Sequence, residues 1–264
     1  MCAGCTSLSK LPKEQYYEFT YRFDRKYEGD SVYFRLKNPL QCPVNVVLTN
    51  DSLNPGMERL FGRVTLQPLQ DTLLTIAYRS FNQSAKSKYV VHYGDLNREV
   101  TKNKIAYPFP RGKSYKVIQG YNGKFTHSNA YSQYAIDFNL LVGDTIASAD
   151  KGFVVGLIQD YKGHGKTKEW LTHDKSNYLT IYHPHSGLYT QYVHLDHKGA
   201  LVKLGDWVEQ GQAIGISGMT GFTTTAHLHF NVKIPSAEKG LISTKIEFKS
   251  GFKGENLKRN DIVK

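Results

Sequence analysis

Between residues 15 and 105 the chain alternates short apolar runs with turn-forming clusters. Val32-Tyr33-Phe34-Arg35-Leu36, Val44-Asn45-Val46-Val47-Leu48, Leu73-Leu74-Thr75-Ile76 and Tyr89-Val90-Val91-His92-Tyr93 are rich in β-branched and aromatic residues, which suit a pleated, half-buried surface. Glu28-Gly29-Asp30 and Asn54-Pro55-Gly56 punctuate them as turns. Short strands at this spacing predict a β-sandwich-like domain over residues 15–105. No constellation of chemical groups stands out there, and His92 reads as a packed or surface histidine of an alternating strand.

The segment from Ala106 to Gly112 holds two prolines and a glycine and reads as a connection between domains. Beyond it the strand pattern resumes in Phe153 to Ile158, Tyr178 to Tyr182 and Leu188 to Val193, the last two flanking a hairpin turn at Pro184-His185-Ser186-Gly187. A weak internal echo links Val142-Gly143-Asp144-Thr145-Ile146-Ala147 with Leu204-Gly205-Asp206-Trp207-Val208-Glu209. Gly-Asp turns feeding short apolar strands suit a compact barrel or sandwich. No helical period competes, so the fold class is all-β throughout. Residues 1–14 read as a tether, 106–235 as the second domain and 236–264 as a C-terminal extension, with the charged stretch from Lys249 to Lys264 as a peripheral tail.

Composition narrows the classes. Of 264 residues 40% are hydrophobic, with 18 Tyr and 13 Phe, which excludes an intrinsically disordered chain. No apolar run approaches the roughly 20 residues of a membrane-spanning helix. Lys plus Arg is 34 against 23 Asp plus Glu, a formal charge of +11. Such an excess fits nucleic acid, an anionic membrane surface, an anionic polymer such as a cell wall, or no partner at all. No zinc-finger, RRM or basic-helix pattern is present, so no nucleic acid is expected. Charge alone does not choose among the rest.

Cys2, Cys5 and Cys42 are too few for a disulfide framework, and Cys2-Ala3-Gly4-Cys5 has no second CxxC to complete a zinc site. The run into Thr6-Ser7 resembles the end of a bacterial lipoprotein signal without its apolar stretch. On that reading Cys5 is a membrane tether and the protein lies in the cell envelope, in the periplasm or at the surface. The other reading is a cytosolic start with two free thiols.

Most of the ten histidines fall between residues 164 and 229, where His183 and His185 flank the predicted hairpin turn and read as exposed. In His227-Leu228-His229-Phe230-Asn231-Val232 strict alternation makes a strand with Leu228, Phe230 and Val232 on the buried face. His227 and His229 then share the opposite face about 6.6 Å apart along the backbone. Both can bind a metal, one can bind while the other faces a water, or the pair is a solvated polar face. Gln133 to Leu140 alternates likewise and places Asp137 opposite Ile136 and Phe138. A carboxylate among buried neighbours is costly unless paired or coordinated. His127 lies in a loop-like segment ten residues upstream, and His194 sits at a strand end.

Together the order His127, Asp137, His194, His227-Leu228-His229 resembles the lysostaphin-type (LytM-like) zinc metalloendopeptidases of bacterial cell walls. Ala149-Asp150-Lys151-Gly152-Phe153-Val154 matches that family's Ala-x-x-Gly-x-Val strand, and Leu204-Gly205-Asp206-Trp207-Val208 through Gly211-Gln212-Ala213-Ile214-Gly215 matches its Gly-Asp-x-Val-x-x-Gly-Gln-x-Ile-Gly. Gly218 to Thr224 leads into the His-x-His strand as in the family. The resemblance covers about residues 113–235. One departure stands out: many members place the first histidine four residues before the aspartate, where this chain has Gln133. A branch of the family carries it earlier, ahead of a Tyr-Ala-x-Asp-Phe strand like Tyr134 to Phe138, and the loop must then fold back to bring His127 to the metal.

The resemblance implies a LytM-like antiparallel β-sheet or barrel-type domain binding Zn²⁺ through His127, Asp137 and His229. Three protein ligands leave the open position a catalytic zinc needs. His-Glu-x-x-His is absent, so the resemblance leaves His194 and His227 as the catalytic pair, sharing the roles of base, acid and oxyanion stabiliser. The implied substrate is peptidoglycan, at cross-link or stem-peptide bonds. The alternatives are a catalytically inactive module that binds wall or activates a murein amidase, and a structural or adhesion protein. The N-terminal domain could dock a protein partner, position the substrate or cover the groove.

Overall fold

The computed structural model describes residues 11–264 apart from 19–20, 22, 51–55, 78–81, 83–86, 102–103 and 174, together with the side chains of 50 and 172–173. Cys2 and Cys5, and with them the proposed tether, lie outside the described residues. Two compact units emerge among the described residues, one within 21–100 with 234–242, the other within 11–18, 101–233 and 243–264.

The smaller unit is built from two antiparallel three-stranded sheets. Ser31–Lys37 lies between Phe23–Glu28 and Asp71–Ala77, and Val44–Asn50 lies between Arg63–Leu66 and Lys88–Tyr93. The period-2 pattern of Val32, Phe34 and Leu36 buries these side chains completely, as it does Val44 and Val46 in the second sheet. Phe23 of one sheet meets Tyr89 of the other at 5.1 Å between ring centroids. A five-residue helix, Met57–Phe61, adds Met57 and Phe61 to this core.

The larger unit centres on an antiparallel sheet with the order Trp207–Val208, Gly152–Ile158, Tyr178–His183, Leu188–Val193, Leu228–Ser236, Ile136–Phe138, Tyr115–Gln119, Ile262–Val263. Leu228, Phe230 and Val232 point into its core, as alternation predicts. Leu195–Ala200, Ala213–Ser217 and Thr145–Ala147 form a smaller sheet.

The internal echo is a repeated turn. Asp144 accepts the Leu141 amide and Asp206 the Lys203 amide, both at 2.8 Å. The preceding glycines, Gly143 and Gly205, hold φ of 94° and 90°, where a side chain would be strained. Lys258 to Asp261 repeats the device with Asn260 at φ 79°, asparagine being the residue that best tolerates that region after glycine.

Four expectations need correction. Among the described residues two short α-helices exist, Met57–Phe61 and Lys168–His173; at five and six residues they are too short to print a helical period. The Ala106 to Gly112 segment is packed into the larger unit rather than spanning freely: the Ala106 amide donates to Ala149, Ala147 donates to Pro108, and Phe109 is buried. The stretch from Lys249 to Lys264 is no peripheral tail, because Ile262–Val263 pairs with Tyr115–Gln119 and Leu257 and Val263 are buried. Residues 236–242 group with the smaller unit and 243–264 with the larger. The fourth correction concerns His183 and belongs with the other histidines.

Candidate metal centre

The sheet register does the first part of the assembly. Asp137 stands directly opposite His229, and His229 opposite Val193, so His194 emerges from the neighbouring strand end beside them. Cross-strand partners lie about 4.5–5.5 Å apart at Cβ, close enough for their side chains to meet. Asp137 Oδ1 is 2.9 Å from His229 Nδ1.

The loop of residues 120–135 supplies the remaining member by folding back. The His127 amide donates to the Gly123 carbonyl, the Asn122 amide donates to the Gln133 carbonyl, and Ser132 Oγ donates to the Thr126 carbonyl. His127 is thereby fully buried, with Nε2 3.2 Å from both Asp137 Oδ1 and His229 Nδ1. Gln133 enters this loop through its backbone hydrogen bonds. Among the described residues, His127, Asp137 and His229 are the group whose ligating atoms lie within 4.8 Å of one another.

Tautomers follow from the carbonyls behind the rings. His127 Nδ1 donates to the Gly120 carbonyl at 2.8 Å, His194 Nδ1 to Thr220 at 2.7 Å and His227 Nδ1 to Thr225 at 2.9 Å. Each ring therefore turns its Nε2 lone pair inward. His227 Nε2 is 3.9 Å from Asp137 Oδ1, and the His194 and His227 rings lie 4.5 Å apart.

Electrostatics match this geometry. Burial opposes the charge on Asp137, but the adjoining imidazoles of His127, His229 and His227 hold its carboxyl well below the usual range. Burial likewise opposes charge on His127, yet Asp137 and the Gly120 carbonyl raise its pKa overall. Burial and the charges of His227 and His229 push His194 well below the ordinary histidine value. His229 is lowered, chiefly by burial.

The donor set fits a zinc-type cation. Bonds of 2.0–2.2 Å in a tetrahedron separate donor atoms by about 3.3–3.6 Å, and the three atoms here stand 2.9–3.2 Å apart. Two imidazole lone pairs and a carboxylate facing one point repel each other unless a cation or shared proton lies between them. The cluster opens on a groove of about 700 Å³ that also reaches Trp170, Phe222 and Lys233.

Three supporting residues had no role assigned from the sequence. Gln119 Nε2 donates to Asp137 Oδ2 at 3.1 Å and to Thr126 Oγ1 at 2.7 Å, occupying the carboxylate oxygen that faces away from the cluster. Asn177, a polar residue at the head of a strand, is fully buried, and its carbonyl accepts the amides of both His194 and Leu195. Thr220 Oγ1 accepts the Asn177 amide and donates to the Leu195 carbonyl. The fourth correction falls here as well. His183, expected to be exposed beside its turn, is fully buried, bonded to the Lys151 carbonyl and to Thr190 Oγ1. His185 is exposed and pairs with Asp150.

Comparison with known proteins agrees with the ordered motifs. Residues 131–240 match the model of peptidase family M23. An uncharacterized metalloprotease of Buchnera aphidicola subsp. Baizongia pistaciae is 34% identical over 128 residues, 47% of this chain and 30% of that protein. Lysostaphin of Staphylococcus simulans is 31% identical over 124 residues, 47% and 22% respectively. Peptidoglycan DD-endopeptidase ShyB of Vibrio cholerae is 33% identical over 131 residues, 48% and 27%. The chain thus spans less than a third of the length of these relatives. The resemblance to lysostaphin-type peptidases extends from the motifs to sequence similarity over 124 to 131 residues, less than half of the chain.

Proposed function

We propose that this chain is a zinc-dependent endopeptidase that hydrolyses peptide bonds in the cross-links or stem peptides of peptidoglycan. The observation that carries the reading is the convergence of His127, Asp137 and His229 beneath an open groove, with His194 and His227 on the groove side. Zinc held by these three residues would supply a Lewis acid that polarises a scissile carbonyl and brings the pKa of water toward about 7. The relatives named lysostaphin and DD-endopeptidase support peptidoglycan as the substrate class.

The chain's own groups account for the proton movements. Burial keeps the His194 ring neutral near pH 7, so its inward Nε2 can take a proton from the attacking water. His227 presents a second inward Nε2, fixed by Thr225 and Thr223. Between them the pair can return the proton to the leaving amine, a contribution of about 10²–10⁴-fold for a well-placed general acid or base. Gln119 orients Asp137, and the Gly120 carbonyl orients His127.

The alternative of an inactive wall-binding or amidase-activating module rests on a missing first ligand, and the 3.2 Å approach of His127 to Asp137 speaks against it. A wall substrate places the protein outside the cytoplasm, with Cys5 the candidate anchor if the chain is lipidated.

Mass spectrometry of cross-linked muropeptides incubated with the full chain tests the reading. Cleavage that disappears with a zinc chelator and in His229→Ala is expected. Intact cross-links in zinc-replete buffer would overturn it.

A further inference from the structure

We infer that residues 11–17 form a strap that positions His194, anchored on Tyr161 and Lys175 and acting through Asn177. This segment lies far outside the 131–240 region shared with the peptidase family, yet it groups with the unit that carries the histidines. The Tyr16 amide donates to the Tyr161 hydroxyl at 3.0 Å, and the two rings meet edge to face at 4.8 Å.

Lys175 is the more telling contact. It is only 2% exposed, and an ammonium so placed needs partners to offset its lost hydration. Its Nζ donates to the Glu14 carbonyl at 2.7 Å and lies 5.2 Å from the centre of the Tyr161 ring. The strap therefore supplies the oxygen that makes burial of this charge tolerable. A cavity of about 490 Å³ bordered by Leu11, Pro12 and His197 shows that the strap does not pack continuously. Its hold is concentrated at Glu14 and Tyr16.

From these anchors the path to the histidine is short. Asn177 follows Lys175 by two residues and clasps the Tyr161 backbone, its Oδ1 accepting the amide and its Nδ2 donating to the carbonyl, both at 3.0 Å. Nδ2 also donates to the Asp196 carbonyl at 3.2 Å. The Asn177 carbonyl accepts the His194 amide at 3.0 Å and the Leu195 amide at 3.2 Å. His194 needs such restraint because its φ of 70° lies in the left-handed region, uncommon for a residue with a side chain and held only where surroundings fix it. Loosening the strap frees Lys175, then the Asn177 clasp, then the turn that aims His194.

Only the kinetic arm of the test rests on the proposed peptidase activity; the other reads the backbone directly. Amide hydrogen exchange is measured on the full chain, on Lys175→Met, which keeps the stem and removes the ammonium, and on Tyr16→Pro, which removes the strap's donor. Both variants are expected to exchange the His194 and Leu195 amides at least tenfold faster while the central-strand amide of Ile181 keeps its rate. On muropeptides kcat falls about 10- to 100-fold, the scale of a misplaced reacting group, with KM and bound metal unchanged, and Lys175→Arg restores it. Unchanged exchange at His194 and Leu195, or an increase shared equally by Ile181, overturns the proposal. Should Lys175→Met fail to fold, Tyr16→Pro decides, since its site is partly exposed. A wild-type chain that cleaves no wall would sink the peptidase reading alone, because exchange would still judge the strap.

Discussion

Replacing Gln119 by Leu removes one side-chain amide that works at two places at once. In the folded chain Gln119 Nε2 donates to Asp137 Oδ2 at 3.1 Å and to Thr126 Oγ1, one residue before His127. Leu keeps the bulk and leaves a buried carboxylate oxygen without its donor. A hydrogen bond to a charged group contributes about 1.5–3 kcal/mol, and a metal-loaded site requires Asp137 fully ionised. At 1.4 kcal/mol per tenfold the loss corresponds to zinc binding weaker by roughly 10- to 100-fold, the range expected for the partner of a metal-ligating carboxylate. Competition with a chromophoric chelator measures the affinity of wild type and variant directly, and the stoichiometry at saturation should stay at one. Zinc affinity within twofold of wild type would refute both the orientation argument and the assignment of Asp137 as a ligand held from behind.

Two further predictions follow from the histidines. His194→Ala and His227→Ala should each lower kcat by about 10²–10⁴-fold while still binding one zinc, whereas His229→Ala should lose the metal; loss of zinc from either of the first two variants would move that residue into the ligand set. Burial, seconded by the charge of His185, pushes His183 down to about 4 against the Lys151 carbonyl and Asp150. The unfolded chain, with an ordinary histidine near 6.5, then binds the extra proton between those values, so stability is complete above about pH 6.5 and falls as pH drops toward 4, by on the order of 3 kcal/mol. Comparing Tm against pH for wild type and His183→Gln isolates this group, and parallel curves between pH 4 and 6.5 would contradict it.

What the sequence could show was whatever repeats within a few residues. Alternation around Phe34, Val46 and Phe230 located strands and their buried faces, because a period of two is visible within six residues. The Gly-Asp echo was equally local, and it returned as the same aspartate-to-amide turn at Asp144 and Asp206. Contacts set by register were not legible. Nothing in the strand Tyr115–Gln119 marks Gln119 as the residue beside Asp137, because that pairing depends on how three separated strands align. His183 was misread for a related reason: it packs against the Lys151 carbonyl, just before one flanking strand, and Thr190 on the other, while the next two residues, Pro184 and His185, stay partly or fully exposed in the turn. Ile262–Val263 escaped because two residues in a lysine-rich stretch carry no pattern until Tyr115–Gln119 offers an edge.

The candidate site sits between these cases. His229 and Asp137 were recognisable by alternation, since each carries a polar group on a strand whose other face is apolar. His127 was recognisable only through the ordered motifs, and its arrival depends on a loop whose closure is written in backbone bonds at Gly123, Gln133 and Thr126. That division has a physical meaning for the centre itself. Two of its donors stand on strands fixed by the sheet, and the third rides on a loop that Gln119 ties to the same sheet through Thr126. The loop donor is therefore the one whose placement can be lost without unfolding the strands, which makes His127 rather than Asp137 or His229 the donor on which closure of the cluster turns.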